Sequence, residues 1–232
     1  MKKSGKRCWI VLCVSLLAVL LGACGKQGGN ASKNNLNFDD VSAGDIVEFG
    51  SFEQDNNTKN GAENLEWIVL EAKDNTLVLL SEKVLKWTGY DQESPDWDSS
   101  DVREWLNDEF YPTAFNEKEK QMIQLSRVMG EIGYTEDYVY LLSVAEARKY
   151  FSYNTGLRDV EIGAAPTAYA KAHGALSNEE YNGNCNFWLR TPAEKRGSVC
   201  YVNRDGSFGY GSSTLIWSES GIRPVICITT GE

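Results

Sequence analysis

Two apolar segments that each carry an arginine constrain the fold most. FWLRTP occupies residues 187–192 and GIRPVI occupies residues 221–226, so Arg190 and Arg223 stand where a core strand would normally carry valine. A buried, unpaired charge costs on the order of several kcal/mol, so each guanidinium needs carboxylates, carbonyls or water around it. We expect both to be structural arginines that lie near strand ends and join loops by several hydrogen bonds. The alternative is capture of an anion or a carboxylate at the domain surface.

The order of the apolar patterns predicts the fold class. Alternation over residues 44–53 indicates a strand, and two apolar runs around Asp74-Asn75 indicate a hairpin. Helical periodicity follows, with predicted N-caps that each precede a glutamate by three residues: Asp101, Asn116 and Ser143. The pattern of residues 167–174 predicts a last helix, and from Cys185 onward the sequence pattern is again typical of strands. We therefore predict a single α+β domain whose antiparallel sheet pairs its N- and C-terminal strands, with several short helices between them.

The first 24 residues resemble the leader of a bacterial lipoprotein. A basic patch precedes an apolar run from Cys8 to Leu21 that is too short to span a bilayer comfortably. The run ends in Leu21-Gly22-Ala23-Cys24, which places small residues before a cysteine that acylation would modify. We predict a lipoprotein signal peptide over residues 1–23 and lipid attachment, for example of palmitate, at Cys24. The alternative is a plain secretory signal followed by a chance cysteine.

The composition of the segment after the leader predicts a flexible tether. Residues 24–40 are mostly small and polar, and a flexible chain of this length has a reach on the order of 20 Å. Residues 41–232 are long enough for one globular domain with a full core. The expected location is the extracellular face of the cell membrane, with the bilayer as a partner through the lipid anchor.

The acidic balance excludes some partners. The chain has 23 Lys and Arg against 33 Asp and Glu, and loss of the four basic residues of the leader would take the net charge from −10 to −14. This charge argues against nucleic acid and against electrostatic docking on anionic lipid. It identifies no partner, because an acidic surface is also an ordinary route to solubility.

The cysteines and the single histidine give little sign of metal or catalytic chemistry. Cys185, Cys200 and Cys227 remain after the leader and Cys24 are set aside, so one internal disulfide at most can form. We expect small buried thiols and no disulfide. No pair has the CxxC spacing, and His173 is the one histidine, so we predict no metal site of the zinc type and no catalytic residue.

Several strings resemble an uncharacterised family of domains of unknown function, the 6273 type, found in surface lipoproteins of Gram-positive bacteria. REWLNDEFYPTAF together with the paired WLR and RPV segments carries the resemblance, which extends over residues 44–229. Such domains are remotely similar to the C-type-lectin-like fold that formylglycine-generating enzymes share. The resemblance implies this fold and a surface setting, and it implies no activity.

The remote relatives supply site patterns that this chain lacks. Calcium-dependent lectins use Glu-Pro-Asn or Gln-Pro-Asp followed by Trp-Asn-Asp, whereas residues 94–97 here read SPDW. The active-site cysteine pair of formylglycine-generating enzymes has no match at Cys185 or Cys200. Neither function therefore carries over.

Candidate ligand contacts are aromatic and cationic residues in loop-like sequence. Trp87, Trp97 and Trp217 have polar surroundings, where aromatic rings can stack on sugars or grip a protein, and Arg190 is a fourth candidate. The alternative is that these rings cover the core beneath long loops. The acidic segment at residues 90–101 could hold calcium, but it lacks EF-hand spacing and its aspartates are placed to cap the next helix.

Three functional hypotheses follow. The first is an extracellular ligand-binding module for a cell-wall glycan, a host glycan or a protein, with no cofactor unless calcium binds. The second is an envelope enzyme on a scaffold like that of formylglycine-generating enzymes. The third is a structural subunit of an envelope complex. We favour the first, because no pairing of a nucleophile with a base is visible in the sequence.

Overall fold

Twelve strands and a set of short helices make up the computed structural model, which describes Phe38, residues 40–151, Leu157, and residues 161–194, 196–209 and 218–230. The strands in chain order are β1 (Ile46–Phe52), β2 (Glu63–Lys73), β3 (Thr76–Ser81), β4 (Lys86–Thr88), β5 (Ser126–Met129), β6 (Tyr134–Asp137), β7 (Val139–Tyr140), β8 (Phe187–Pro192), β9 (Val199–Val202), β10 (Phe208–Gly209), β11 (Ser220–Ile222) and β12 (Val225–Thr229). All described residues belong to one compact unit, Asn37–Glu232.

The first sheet joins the early strands to the last one. Its order is β1-β2-β3-β12-β7, and every pair within it is antiparallel. The β2–β3 turn at Asp74-Asn75 has φ values of 49° and 58°, the positive-φ geometry of a tight hairpin turn that aspartate and asparagine tolerate. The predicted pairing of early and late strands is therefore present, with β12 placed against β3.

A second sheet has the order β10-β9-β8-β11-β4 and contains a parallel pair, β8 with β11. The expectation of one sheet is therefore wrong, and the reason lies in the GIRPVI segment. Residues before Arg223 form β11 in the second sheet, and residues after Pro224 form β12 in the first. Proline has no backbone N–H to offer a ladder, and the chain changes sheets at this point. A separate two-stranded hairpin joins β5 to β6.

The helices are short, and their starts follow local capping chemistry. They are α1 (Asp101–Glu104), α2 (Tyr111–Ala114), α3 (Glu117–Met122), α4 (Val144–Tyr150) and α5 (Ala168–Ala172), with a π-helical segment Trp105–Phe110 between α1 and α2. Asn116 and Ser143 form the predicted capping boxes with Glu119 and Glu146. The predicted cap at Asp101 is one residue late, because the Ser100 hydroxyl accepts the Arg103 N–H instead.

The main core lies between the two sheets and α4. Apolar side chains from both sheets meet there with side chains of α4, including Leu80, Val225, Leu189, Val202 and Ala147. Full burial of each large apolar side chain contributes roughly 1.5–3 kcal/mol, so this layer is the main source of stability. Within the described part of the chain, no helix has both the length and the apolar character needed to cross a bilayer.

Candidate functional site

Arg223 is enclosed at the point where the chain changes sheets. Its guanidinium donates to the backbone carbonyls of Ser81 at 2.7 Å and Ile162 at 2.7 Å, and to that of Glu82 at 3.4 Å. The residue is 1% exposed, and its guanidinium lies 5.3 Å from the centre of the Phe187 ring. Burial lowers the pKa of Arg223 to about 10, so it remains charged at neutral pH. Arg223 thus ties the end of β3 to the segment around residue 162.

Arg190 is also buried, but it has a carboxylate partner. Its guanidinium donates to both oxygens of Glu146 and to the carbonyl of Leu141, and its Nε donates to the carbonyl of Met129 at 3.2 Å. Burial raises the pKa of Glu146, but hydrogen bonds and charge from Arg190 outweigh it, and the pKa is lowered. Arg190 is 5% exposed, so its place in the fold is that of a link between β8, α4 and the β5–β6 hairpin.

The tryptophans proposed as ligand contacts differ in their surroundings. Trp97 is 0% exposed, and its indole N–H donates to Oδ2 of Asp137 at 2.9 Å, so the expectation of an exposed ring is wrong. The sequence neighbours of Trp97, Asp96 and Asp98, are polar and partly exposed, and Asp98 accepts the Ile132 N–H, whereas the Trp97 ring is buried. The polarity of the neighbouring residues therefore does not predict the exposure of this ring. Trp87 is half-buried and packs against the main core. Trp217 and Cys24, the residue predicted to carry the lipid, lie outside the described residues.

The carboxylates of residues 90–101 serve mainly as acceptors for backbone N–H groups. Asp91 accepts from Glu93, Ser94 and Asp101, which closes the loop before α1. This use leaves fewer free oxygens for a cation than the composition suggests.

Another acidic group, Glu53, Asp55 and Glu63, brings three carboxylates within 4.8 Å of one another at the end of β1. Glu63 there accepts the backbone N–H groups of Gln54 and Asp55. These three residues are the group that could hold a metal ion among the described residues, and no local pattern predicts it because a loop separates Glu63 from the other two.

A polar cleft of about 390 Å³ lies next to the Arg223 anchor. Three separate segments of the chain form its walls: Glu161, Ile162 and Gly163; Glu180, Tyr181, Asn182 and Asn184; and Arg204, Asp205 and Gly206. Because the carbonyl of Ile162 is held by Arg223, the buried arginine also fixes one wall of this cleft. The volume falls within the range of small-ligand sites.

Asn184 is the most buried of the polar side chains that line the cleft. It is 8% exposed, and its side-chain amide makes no hydrogen bond to any residue the structure describes. The close approach of this amide requires glycine at 163, because a Cβ there would lie 2.4 Å from Nδ2 of Asn184. The amide is therefore open to a ligand in the cleft, which would replace water as its hydrogen-bond partner.

The ionic groups of the cleft do not pair with one another. Asn182 donates to Glu161 at 3.3 Å, and Asp205 is occupied by Ser207, whose hydrogen bonds lower the pKa of that carboxyl. Within the described residues, neither Glu180 nor Arg204 has an ion-pair partner. The cleft therefore offers hydrogen-bond donors and acceptors together.

The thiols are poor nucleophiles in this fold. All three described cysteines are free, and Cys185, beside the cleft, is buried. Burial raises the pKa of Cys185 to about 12, and it also raises the pKa of Cys200 and of Cys227. The ring of His173 contacts the carbonyl of Tyr169 at 2.7 Å. Among the described residues this geometry gives no activated pairing of thiol and base.

An apolar hairpin tip is the second surface feature. At the end of the β5–β6 hairpin, Met129 is 55%, Ile132 82% and Tyr134 53% exposed. Two hydrogen bonds fix the tip: Asp98 accepts the Ile132 N–H at 3.1 Å, and Arg190 donates to the Met129 carbonyl.

Sequence reasoning missed the cleft because its walls are far apart along the chain. NRDG at residues 203–206 has the composition of an ordinary hairpin turn, and Asn182-Gly183-Asn184 is a short polar stretch. The usable signal was this polar tripeptide immediately before an apolar strand.

Comparison with known proteins gives one match. The model of a family described as "Domain of unknown function (DUF6273)" matches residues 74–230, more than half of the chain. The matched segment begins in the β2–β3 turn, so β1 and β2 lie before it although they belong to the same sheet. No curated protein and no solved structure matches the chain significantly.

Proposed function

Because the chain belongs to the DUF6273 family, whose description assigns no activity, we propose a function from the geometry: a lipid-anchored extracellular ligand-binding module that takes a glycan in the polar cleft. The glycan belongs to the cell wall or to a host. No cofactor is part of this proposal.

The observation that carries the proposal is the free amide of Asn184. A sugar presents hydroxyl groups that both donate and accept, which suits an amide flanked by carboxylates and a guanidinium. Tyr181 adds a partly exposed aromatic ring to the same cleft, and such rings pack on the apolar faces of sugars. The cleft thus combines the polar and apolar contacts that glycan recognition uses.

The setting at the membrane surface rests on the leader. The basic patch, the apolar run and the small residues before Cys24 support acylation of that cysteine. Each buried methylene contributes about 0.8 kcal/mol, so two acyl chains would anchor the protein stably. Substitution Cys24→Ser should move the protein from the membrane fraction to the medium, as followed by fractionation, and retention in the membrane would contradict acylation at this residue.

The finer fold assignment is also a proposal. Two mainly antiparallel sheets, short helices between them, and a late strand that returns to the first sheet support a C-type-lectin-like arrangement. The enzyme alternative receives less support, because burial keeps the described thiols protonated at neutral pH.

A protein partner is the second candidate ligand, and the hairpin tip favours it. Met129 and Tyr134 stand opposite each other on paired strands, with Ile132 at the apex. Exposed methionine and tyrosine on a braced support are typical of interface centres. A protein partner would use a surface distinct from the cleft. The variant Ile132→Ser should therefore weaken binding of that partner and leave glycan binding unchanged.

The test is a glycan and muropeptide binding screen with the mature chain carrying Cys24→Ser. We expect at least one glycan to bind, and Asn184→Ala to weaken it by about tenfold or more, because a hydrogen bond to a buried amide is lost. Asn57→Ala, which changes an exposed asparagine in a remote loop, is the matched control. Binding that survives Asn184→Ala, or no binding at all in the screen, would contradict the proposal.

A further inference from the structure

The cleft contains charges of both signs that do not pair with each other. Glu180 and Arg204 line the same cavity, yet within the described residues neither has an oppositely charged group within ion-pair distance. Such an arrangement leaves two recognition groups available to a ligand.

The backbones of both residues are fixed. The Asn178 side chain accepts the N–H of Glu180 at 2.9 Å, and the Asn186 side chain accepts the N–H of Arg204 at 3.0 Å. Asn182 adopts a left-handed conformation with φ of 54°, which sets the course of the wall that carries Glu180. The charged ends are therefore free while their attachment points are positioned.

A ligand of a single charge would suit this cleft poorly. A purely anionic group would meet Glu161, Glu180 and Asp205, and a purely cationic group would leave Arg204 without a partner. A neutral sugar can hydrogen-bond both kinds of charged group, but it neutralises neither of them. A ligand that carries both charges can pair with the carboxylates and with Arg204 at once.

We propose that the cleft recognises a zwitterionic group, with an ammonium against the Glu161 and Glu180 wall and a carboxylate against Arg204. This inference rests on the proposed function, since it takes the cleft as the ligand site, and it narrows the ligand to a glycan bearing an amino-acid or short-peptide substituent. Asn184, which lines the same cleft, bonds the amide or hydroxyl portion of the ligand. Arg204 supplies the planar fork that binds carboxylates with two hydrogen bonds.

The test uses one dipeptide in four forms. Alanyl-alanine, its N-acetyl form, its C-terminal amide and the doubly capped form are titrated calorimetrically into the mature Cys24→Ser chain. We expect the uncapped dipeptide to bind about tenfold or more tightly than either singly capped form, because each cap removes one charge-assisted contact.

Two substitutions assign each charge to its wall. Arg204→Gln should abolish the difference between free acid and amide while the acetylation effect persists, and Glu180→Gln should do the reverse. Arg196→Gln and Glu194→Gln make the same charge changes at exposed positions outside the cleft, and should alter neither difference. Melting temperatures of all four variants establish that each is folded.

The outcomes separate this inference from the proposed function. Equal binding of all four dipeptides, or equal weakening of all four by Arg204→Gln, would overturn the zwitterion assignment. A glycan that binds and depends on Asn184, together with no dipeptide discrimination, would leave the proposed function standing and this inference refuted. Absence of binding by every glycan and every dipeptide would refute both.

Discussion

Arg190 and Arg223 solve the problem of a buried cation in different ways. Arg190 is neutralised by Glu146, whereas Arg223 is surrounded by backbone carbonyls and has no carboxylate at ion-pair distance in the described structure. Carbonyl dipoles can stabilise a guanidinium because its five N–H groups spread the charge. The sequence showed that both arginines need partners, but it could not show which partners, because these come from segments far away along the chain.

Arg223→Leu should lower the free energy of unfolding by roughly 3 kcal/mol or more. The substitution removes the donor of the buried Ser81 carbonyl and of the partly buried Ile162 carbonyl, it removes the packing of the buried side chain, and a buried carbonyl without a donor costs about 1–3 kcal/mol. Urea denaturation measures the change, with Arg196→Leu at an exposed position as the control. A variant of unchanged stability with altered ligand binding would show that Arg223 acts in recognition instead.

The Glu146–Arg190 pair should make stability depend on pH in the acid range. The pKa of Glu146 is lowered from its ordinary value of 4.5, so the pair's contribution is complete above about pH 4.5 and is lost as pH falls through the folded-state pKa. The difference in melting temperature between the native chain and Glu146→Gln should therefore shrink below pH 4.5. A difference that stays constant between pH 7 and pH 3 would exclude this linkage, and Glu194→Gln provides the baseline for an exposed carboxyl.

For helices and strands, local chemistry predicted turns and helix starts, but it did not predict how these elements pack against one another. The hairpin at Asp74-Asn75 and the capping boxes at Asn116 and Ser143 follow from residues within a few positions of each other. The division of GIRPVI between two sheets does not, since it depends on what Arg223 meets after the chain has folded. The same limit explains the wrong expectation for Trp97, whose partner Asp137 is forty residues away.

The β5–β6 hairpin offers a matched pair of glycines for a test. A Cβ at Gly130 would lie 2.0 Å from the Asp98 carboxylate that holds the tip, whereas a Cβ at Gly133 meets nothing within 4 Å. Gly130→Ala should therefore loosen the tip and speed amide hydrogen exchange of Ile132, and Gly133→Ala should leave it unchanged. Similar exchange rates in the two variants would mean that Asp98 does not fix the tip.

On the scale of the whole molecule, the cleft exists only because three distant segments converge beside Arg223. The individual positions carry ordinary turn residues, so no local pattern predicts the site. The α+β class was predictable because strand and helix periodicities are local, while the number of sheets and the place of the ligand site were not.

Thiol labelling reports on the same global packing. Cys185 is buried, and its pKa of about 12 leaves almost no thiolate at neutral pH, so N-ethylmaleimide should label it only after unfolding. Cys227 is partly exposed and should react before Cys185 and Cys200. Mass spectrometry of peptides after timed labelling measures the order, and rapid labelling of Cys185 in the native protein would contradict the packing.

The position of β12 between β3 and β7 has a consequence for biosynthesis. The first sheet stays open until residues 225–229 can pair with β3, and in the exported protein that we propose this happens only after the last strand has crossed the membrane. Until then β3 presents an unpaired edge, which is the kind of surface that recruits chaperones or other nascent chains. A stalled or prematurely terminated product would keep that edge exposed permanently, and would be removed by quality-control proteases instead of accumulating as a partial domain.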